Sequence, residues 1–158
     1  MNANQLEITK KMNAGVLALT IILVSTAVVA IIFSQSILGT LLLLTGIVVF
    51  AIKGKQEVYK PNGSKIKRGT YYFDKEIISR VENIVKGGFE EDAAILPLLE
   101  NGGGKMETIM TTDREFIAVQ LFRFVPHKFE ETTEHICYTG IKARKLIECI
   151  EKSKKLTK

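Results

Sequence analysis

The chain divides sharply by hydrophobic pattern. From Ala14 to Ile52 there are 39 consecutive residues with no Asp, Glu, Lys or Arg, and every charge lies outside that stretch. One helix of that length would measure about 58 Å at ~1.5 Å per residue. The hydrocarbon core of a bilayer is only about 30 Å thick, so two spans fit where one does not. Ser34-Gln35-Ser36 is the polar cluster in the middle. The pattern therefore predicts transmembrane helices over 14–33 and 37–52, joined by an extracytoplasmic turn at 34–36. The first run is longer than the roughly 7–15 apolar residues of a signal peptide, and a second follows at once, which argues against a cleaved leader.

Beyond Ile52 the pattern changes. A lysine-rich stretch, 53–70, reads as a basic juxtamembrane linker with a turn at Pro61-Asn62-Gly63-Ser64. Residues 71–158 then read as a small soluble α+β domain, helices packed on a short antiparallel β-meander. Asp74 is a candidate N-cap. Ile77, Ile78, Val81, Ile84 and Val85 recur at helical spacing, and Gly87-Gly88 ends that run. A second short helix is expected from Phe89 to about Leu96, with Glu90, Glu91 and Asp92 in its first turn and Pro97 limiting it. Asn101-Gly102-Gly103-Gly104 reads as a loop. Met106–Thr111 is an expected strand, Asp113-Arg114 a hairpin turn, and 116–125 a strand apolar on both faces, hence central. A third strand is expected over 129–138. A last helix is expected from about Thr139 to Lys155, with Ile141, Ala143, Leu146, Ile147 and Ile150 on its buried side.

Charge adds orientation. The chain carries a formal net charge of +5. Lys10 and Lys11 precede the first apolar run, while Lys53, Lys55, Lys60, Lys65, Lys67 and Arg68 follow the second, against Glu57 alone. Flanking positive charge marks the cytoplasmic side. The expectation is a multi-pass protein of the inner (plasma) membrane with both termini cytoplasmic, residues 1–13 included. The six basic residues after the second span are candidates for facing lipid headgroups. The soluble domain is close to neutral, which leaves a nucleic-acid role without electrostatic support.

Within the spans, Ala14, Ala18, Ala30, Gly39 and Gly46 are small residues at spacings that let helices approach closely. They suit packing of the two spans on each other, or self-association and docking on a partner's membrane helices. Neither run carries an ionisable residue, which argues against a transport path.

The remaining chemistry is sparse. Gly102-Gly103-Gly104-Lys105 lacks the hydroxyl residue of a phosphate loop, has Met106 in its place, and runs from helix to strand rather than strand to helix; a flexible connector is the expectation. His127, His135, Cys137 and Cys149 are the soft ligands, without the paired spacing of a zinc site. No cofactor is implied. Glu130, Glu131 and Glu134 read as a solvated strand edge. Two cysteines facing the cytoplasm stay reduced. The reading that follows is a membrane-anchored interaction module, an accessory or regulatory subunit. Its alternatives are a membrane-bound enzyme using Cys137 and His135, and an oligomeric membrane assembly.

Overall fold

A computed structural model describes residues 6–91 and 94–157. The chain forms two compact units. One is Ile8–Val58; the other gathers the described residues from Tyr59 onward together with Leu6 and Glu7.

The first unit begins with strand β1 (Ile8–Met12), followed by helices α1 (Ala14–Ile32) and α2 (Ser36–Lys53) and strand β2 (Lys55–Tyr59). Asn13 caps α1, its side chain accepting from the Val16 N–H at 3.4 Å. α1 is closed off just past its end by Ser34, which adopts φ 63° while its N–H donates to the Ile31 carbonyl and that of Gln35 to the Ala30 carbonyl; this is the wrapped C-terminus by which helices reverse. The helices pack through small residues. A Cβ on Gly39 would stand 2.8 Å from the Ala27 carbonyl, and one on Gly46 would stand 3.4 Å from the Leu23 Cβ. Ala27, Ala30, Gly39 and Gly46 are buried in this seam. Ala14 and Ala18 are exposed and take no part in it. Their spacing matches each other but lies on a different side of α1.

β1 and β2 pair with each other. Residues 53–70, expected as a linker, are therefore mostly strand: they hold β2 and the first half of β3 (Ile66–Phe73). Lysine at alternate positions masked the strand period, since a ribbon solvated on one face needs few apolar residues. The turn at Pro61-Asn62-Gly63-Ser64 is present, with Gly63 at φ 71° and Tyr59 N–H bonded to Ser64 at 2.8 Å.

The second unit is an antiparallel sheet with helices on one face. Its strands are β3, β4 (Gly104–Thr111), β5 (Phe116–Val125), β6 (Lys128–Glu131) and β7 (Ile136–Thr139), with helices α3 (Ile78–Lys86) and α4 (Gly140–Leu156). The order is β3-β4-β5-β6, with β7 also paired to β5. β5 is the central strand, as its doubly apolar pattern predicts. Ile117, Val119 and Leu121 join Phe73 and Met106 under Val81 and Val85 of α3 and Leu146, Ile147 and Ile150 of α4. On the opposite face Phe116, Ala118 and Phe122 are also buried, and Tyr59 stacks on Phe116 at 4.1 Å between ring centroids.

Four local expectations are corrected. The strand expected over 129–138 is two strands. β6 covers Phe122–Val125 and β7 covers Phe116–Val119 on the same edge of β5; between them Thr132 N–H donates to the Leu121 carbonyl and Thr133 Oγ1 accepts from the Leu121 N–H. The helix expected over 89–96 is only a 3₁₀ turn, Gly88–Glu90, and Glu91 and residues 94–96 are not helical (Asp92 and Ala93 lie outside the described residues). Ile141 is 73% exposed, because on α4 it falls about 160° around the helix from Ala143. Gly102–Gly104 is no loose connector: a Cβ on Gly102 would overlap the Phe73 carbonyl and one on Gly104 the Phe73 ring. At the first helix of the sheet unit, Asp74 does act as a cap, accepting from Glu76 N–H at 3.0 Å, though over a 3₁₀ turn, Lys75–Ile77, that leads into α3.

The extended stretch before β4 is held by a polar stripe on α4. Cys149, Ser153 and Thr157 lie four residues apart. Their side chains bond in turn to the Ala94 carbonyl (3.5 Å), the Leu96 N–H (2.8 Å) and the Leu98 carbonyl (3.3 Å). Ser153 is the buried centre, and its hydroxyl also donates to the Cys149 carbonyl at 2.7 Å. Removing it orphans a buried N–H, which costs about 1–3 kcal/mol. Ser153→Ala should lower the unfolding free energy by that amount and speed hydrogen exchange at Leu96 and Leu98. Unchanged exchange there would show that the stripe does not hold this segment.

Candidate functional site

The helical pair has the most distinctive surface of the molecule. α1 and α2, at 19 and 18 residues, are both long and apolar enough to cross a membrane. Ile22, Ile32, Phe33, Ile37, Leu41 and Ile52 are among the large apolar side chains standing exposed on and beside them. The threonine side chains of the two helices are internally satisfied. Thr20, Thr26, Thr40 and Thr45 each donate to the carbonyl four residues earlier, at 2.8–2.9 Å, the arrangement by which hydroxyls avoid an unmet hydrogen bond in an apolar setting.

At the opposite end from the Ser34 turn the chain is closed. Asn13 N–H donates to the Gly54 carbonyl at 2.9 Å, and Gly54 N–H to Phe50 at 2.8 Å. A Cβ at Gly54 would collide with the Phe50 carbonyl, so glycine is what lets β2 leave α2 without a loop. The ribbon carries Lys10 and Lys11 on β1 and Lys55 on β2, beside Lys53 at the end of α2; all four are exposed.

The six basic residues singled out from sequence are thus divided. Lys53 and Lys55 belong to the helical unit. Lys60, Lys65, Lys67 and Arg68 belong to the sheet unit, where Lys60 lies 3.6 Å from Glu7 and Lys67 and Arg68 lie on β3, an edge strand of the sheet. Sequence reasoning did not bring Lys10 to Lys55, because only strand pairing across the helical pair makes them neighbours in one structure.

The thiol and histidine candidates all lie in the sheet unit. The Cys137 thiol meets the main-chain carbonyl of His135 at 4.0 Å, and burial pushes its pKa above the usual thiol value. Burial also raises Cys149, against smaller opposing effects of Ser153, Lys152 and the Leu96 backbone. His127 sits at φ 73° in the turn between β5 and β6. Among the described residues, no three His, Cys, Asp or Glu side chains gather as a metal site. A cleft of about 500 Å³ beside the β6–β7 break is lined by Glu82, Lys86, Thr133, His135, Cys137 and Tyr138. Lys86 is already paired with Glu82 at 2.6 Å, and the Tyr138 hydroxyl donates to the Val85 carbonyl at 3.0 Å. Glu130 pairs with Lys128 at 2.8 Å on β6.

The aromatic residues of the second sheet face form a separate cluster. Lys105 Nζ lies 4.3 Å from the Phe122 ring centroid and 4.9 Å from that of Phe129, and 2.7 Å from Glu107. Lys105 is therefore a structural cation, and the phosphate-loop pattern it seemed to belong to has no counterpart here.

No protein-family model matches the chain, and neither a curated protein nor a solved structure is significantly similar to it.

A thiol whose pKa is raised stays protonated through neutral pH, and the thiolate is the reactive form. Cys137 and Cys149 should therefore resist iodoacetamide at pH 7, react faster only well into the alkaline range, and both label promptly once the chain is unfolded. Rapid labelling of Cys137 in the folded protein at pH 7 would instead mark an activated nucleophile.

Proposed function

We propose that this chain is a two-span protein of the inner (plasma) membrane, with both termini cytoplasmic, that presents its α+β unit at the cytoplasmic face as an interaction module, an accessory or regulatory subunit. The observation that carries the proposal is the helical pair. Two successive apolar helices keep their large side chains exposed rather than buried in a protein core, and their threonine hydroxyls are satisfied internally. Exposed to water, that surface would drive aggregation; in lipid it is at home.

The orientation rests on charge and on connectivity. β1 enters α1 and β2 leaves α2 as paired strands, which puts both ends of the helical pair on one side. The lysines lie at that end, whereas the Phe33–Gln35 turn has none, and positive charge favours the cytoplasmic side. Lys53, Lys55, Lys60, Lys65, Lys67 and Arg68 then face the anionic headgroup region. The bilayer is the first partner. The second is a protein partner or another copy of the chain, met through the spans. Ala14 and Ala18, exposed on α1, allow such a helix to approach. Residues 69–158 are near neutral and do not favour nucleic acid.

Two measurements test this. In a chain with both native cysteines changed to serine, Gln35→Cys should react with a membrane-impermeant maleimide from outside intact cells, and Lys65→Cys only after lysis. Both reacting from outside would overturn the orientation. Affinity purification of the tagged full chain from native membranes in mild detergent should bring down a stoichiometric partner. A solitary, monodisperse protein would count against the interaction module.

A further inference from the structure

Beside the foot of α2 there is a cleft of about 480 Å³ with walls of two kinds. One wall is apolar and belongs to the last turn of the helix, Phe50, Ala51 and Ile52. The other is the start of the ribbon, with Lys10 from β1 and Lys55 from β2, and with Glu57 as its acidic residue. All of these residues lie in the compact unit Ile8–Val58. The cleft is shaped by features already described: Gly54 turns the chain directly from α2 into β2, and the Asn13–Gly54 hydrogen bond draws the first strand in beside it.

We infer that this cleft is a binding site for one anionic phospholipid, whose phosphate lies between Lys10 and Lys55 and whose acyl chain runs down the exposed apolar side of α2. The inference rests on the membrane reading above and deepens it. Charge complementarity selects the occupant. Two ammonium groups against one carboxylate leave the cleft net positive, which suits a singly anionic headgroup. The apolar wall continues into Ile47 and Val48, both exposed on α2, so the site offers a tail somewhere to lie. A soluble phosphate ester would leave that wall unused. The lysines also stand on paired strands that fix the backbone beneath them, so less order is lost on binding than with lysines on a flexible linker.

The test uses the full chain in nanodiscs of equal parts phosphatidylglycerol, phosphatidylethanolamine and phosphatidylcholine, released into mild detergent and read by native mass spectrometry. One phosphatidylglycerol per chain should persist. Lys10→Gln with Lys55→Gln should cut its retention by about 30-fold, the factor two surface lysines supply. Lys154→Gln with Lys155→Gln, which removes the same charge from α4, should leave it unchanged. Equal loss in both variants would show diffuse attraction and overturn the site. Preferential retention of phosphatidylethanolamine would show that Glu57 reads an ammonium group and overturn the anionic assignment. Displacement of the lipid by millimolar glycerol phosphate would assign the cleft to a soluble ester. Alkaline carbonate extraction separates the two levels of argument. If the unaltered chain leaves the membrane, the membrane reading falls; if it stays but retains no lipid, only this inference falls.

Discussion

Thirty-nine residues without a charge set the terms for everything around them. Such a segment cannot rely on water to satisfy its backbone in an apolar medium, and the helix is the local structure that pairs every interior N–H and C=O within itself. Two helices of 19 and 18 residues result. Their ends must then be reconciled with a chain that is polar on both sides. The ribbon β1–β2 does this by pairing the residues just before α1 with those just after α2. It joins the two ends by hydrogen bonds, and it gathers lysines from both flanks at one end of the pair.

The sheet unit solves a different problem with the same economy. β5 is apolar on both faces and sits between β4 on one edge and β6 and β7 on the other. Its helix-side residues share one core with α3 and α4. What keeps the non-helical stretch before β4 in register is not apolar contact alone. The Cys149, Ser153 and Thr157 stripe of α4 bonds to that segment's backbone, which meets the requirement that buried main-chain groups find partners. Gly102 and Gly104 then close against Phe73. Cys149 in this setting is a packing residue whose thiol meets a carbonyl, and its raised pKa follows from that burial.

The legible parts of the fold were those whose signal is periodic and local. The two apolar helices, the central strand, the α3 stripe and most of the α4 stripe follow from spacing along the chain. The illegible parts were set by partners distant in sequence. β1 was missed because Ile8–Met12 carries adjacent lysines and acquires its strand character from residues more than forty positions later. Residues 129–138 read as one strand because nothing local reveals that Thr132 and Thr133 replace ladder bonds to Leu121. The segment after Phe89 has helical composition, but Pro97 and the hydroxyl of Ser153 favour an extended course. Ala14 and Ala18 have the right spacing for a helix seam and the wrong side of the helix for this one. For the candidate site, the charges were visible and their grouping was not. Lys10 and Lys55 share a cleft only because two strands pair.

That grouping bears on how the proposed membrane anchor would discriminate between lipids. Lysines on a disordered linker attract any anionic surface, because each charge can move to meet whichever headgroup is nearest. Lys10 and Lys55 stand on paired backbone next to a helix end whose last turn is Phe50, Ala51 and Ile52. The phospholipid proposed above would meet both walls, its phosphate at the lysines and its acyl chain along the helix. Water-soluble anions would meet only one wall, and neutral lipids the other. The glycine at position 54 is therefore more than a chain-turning device. As the one residue between α2 and β2 it sets the charged wall beside the apolar one.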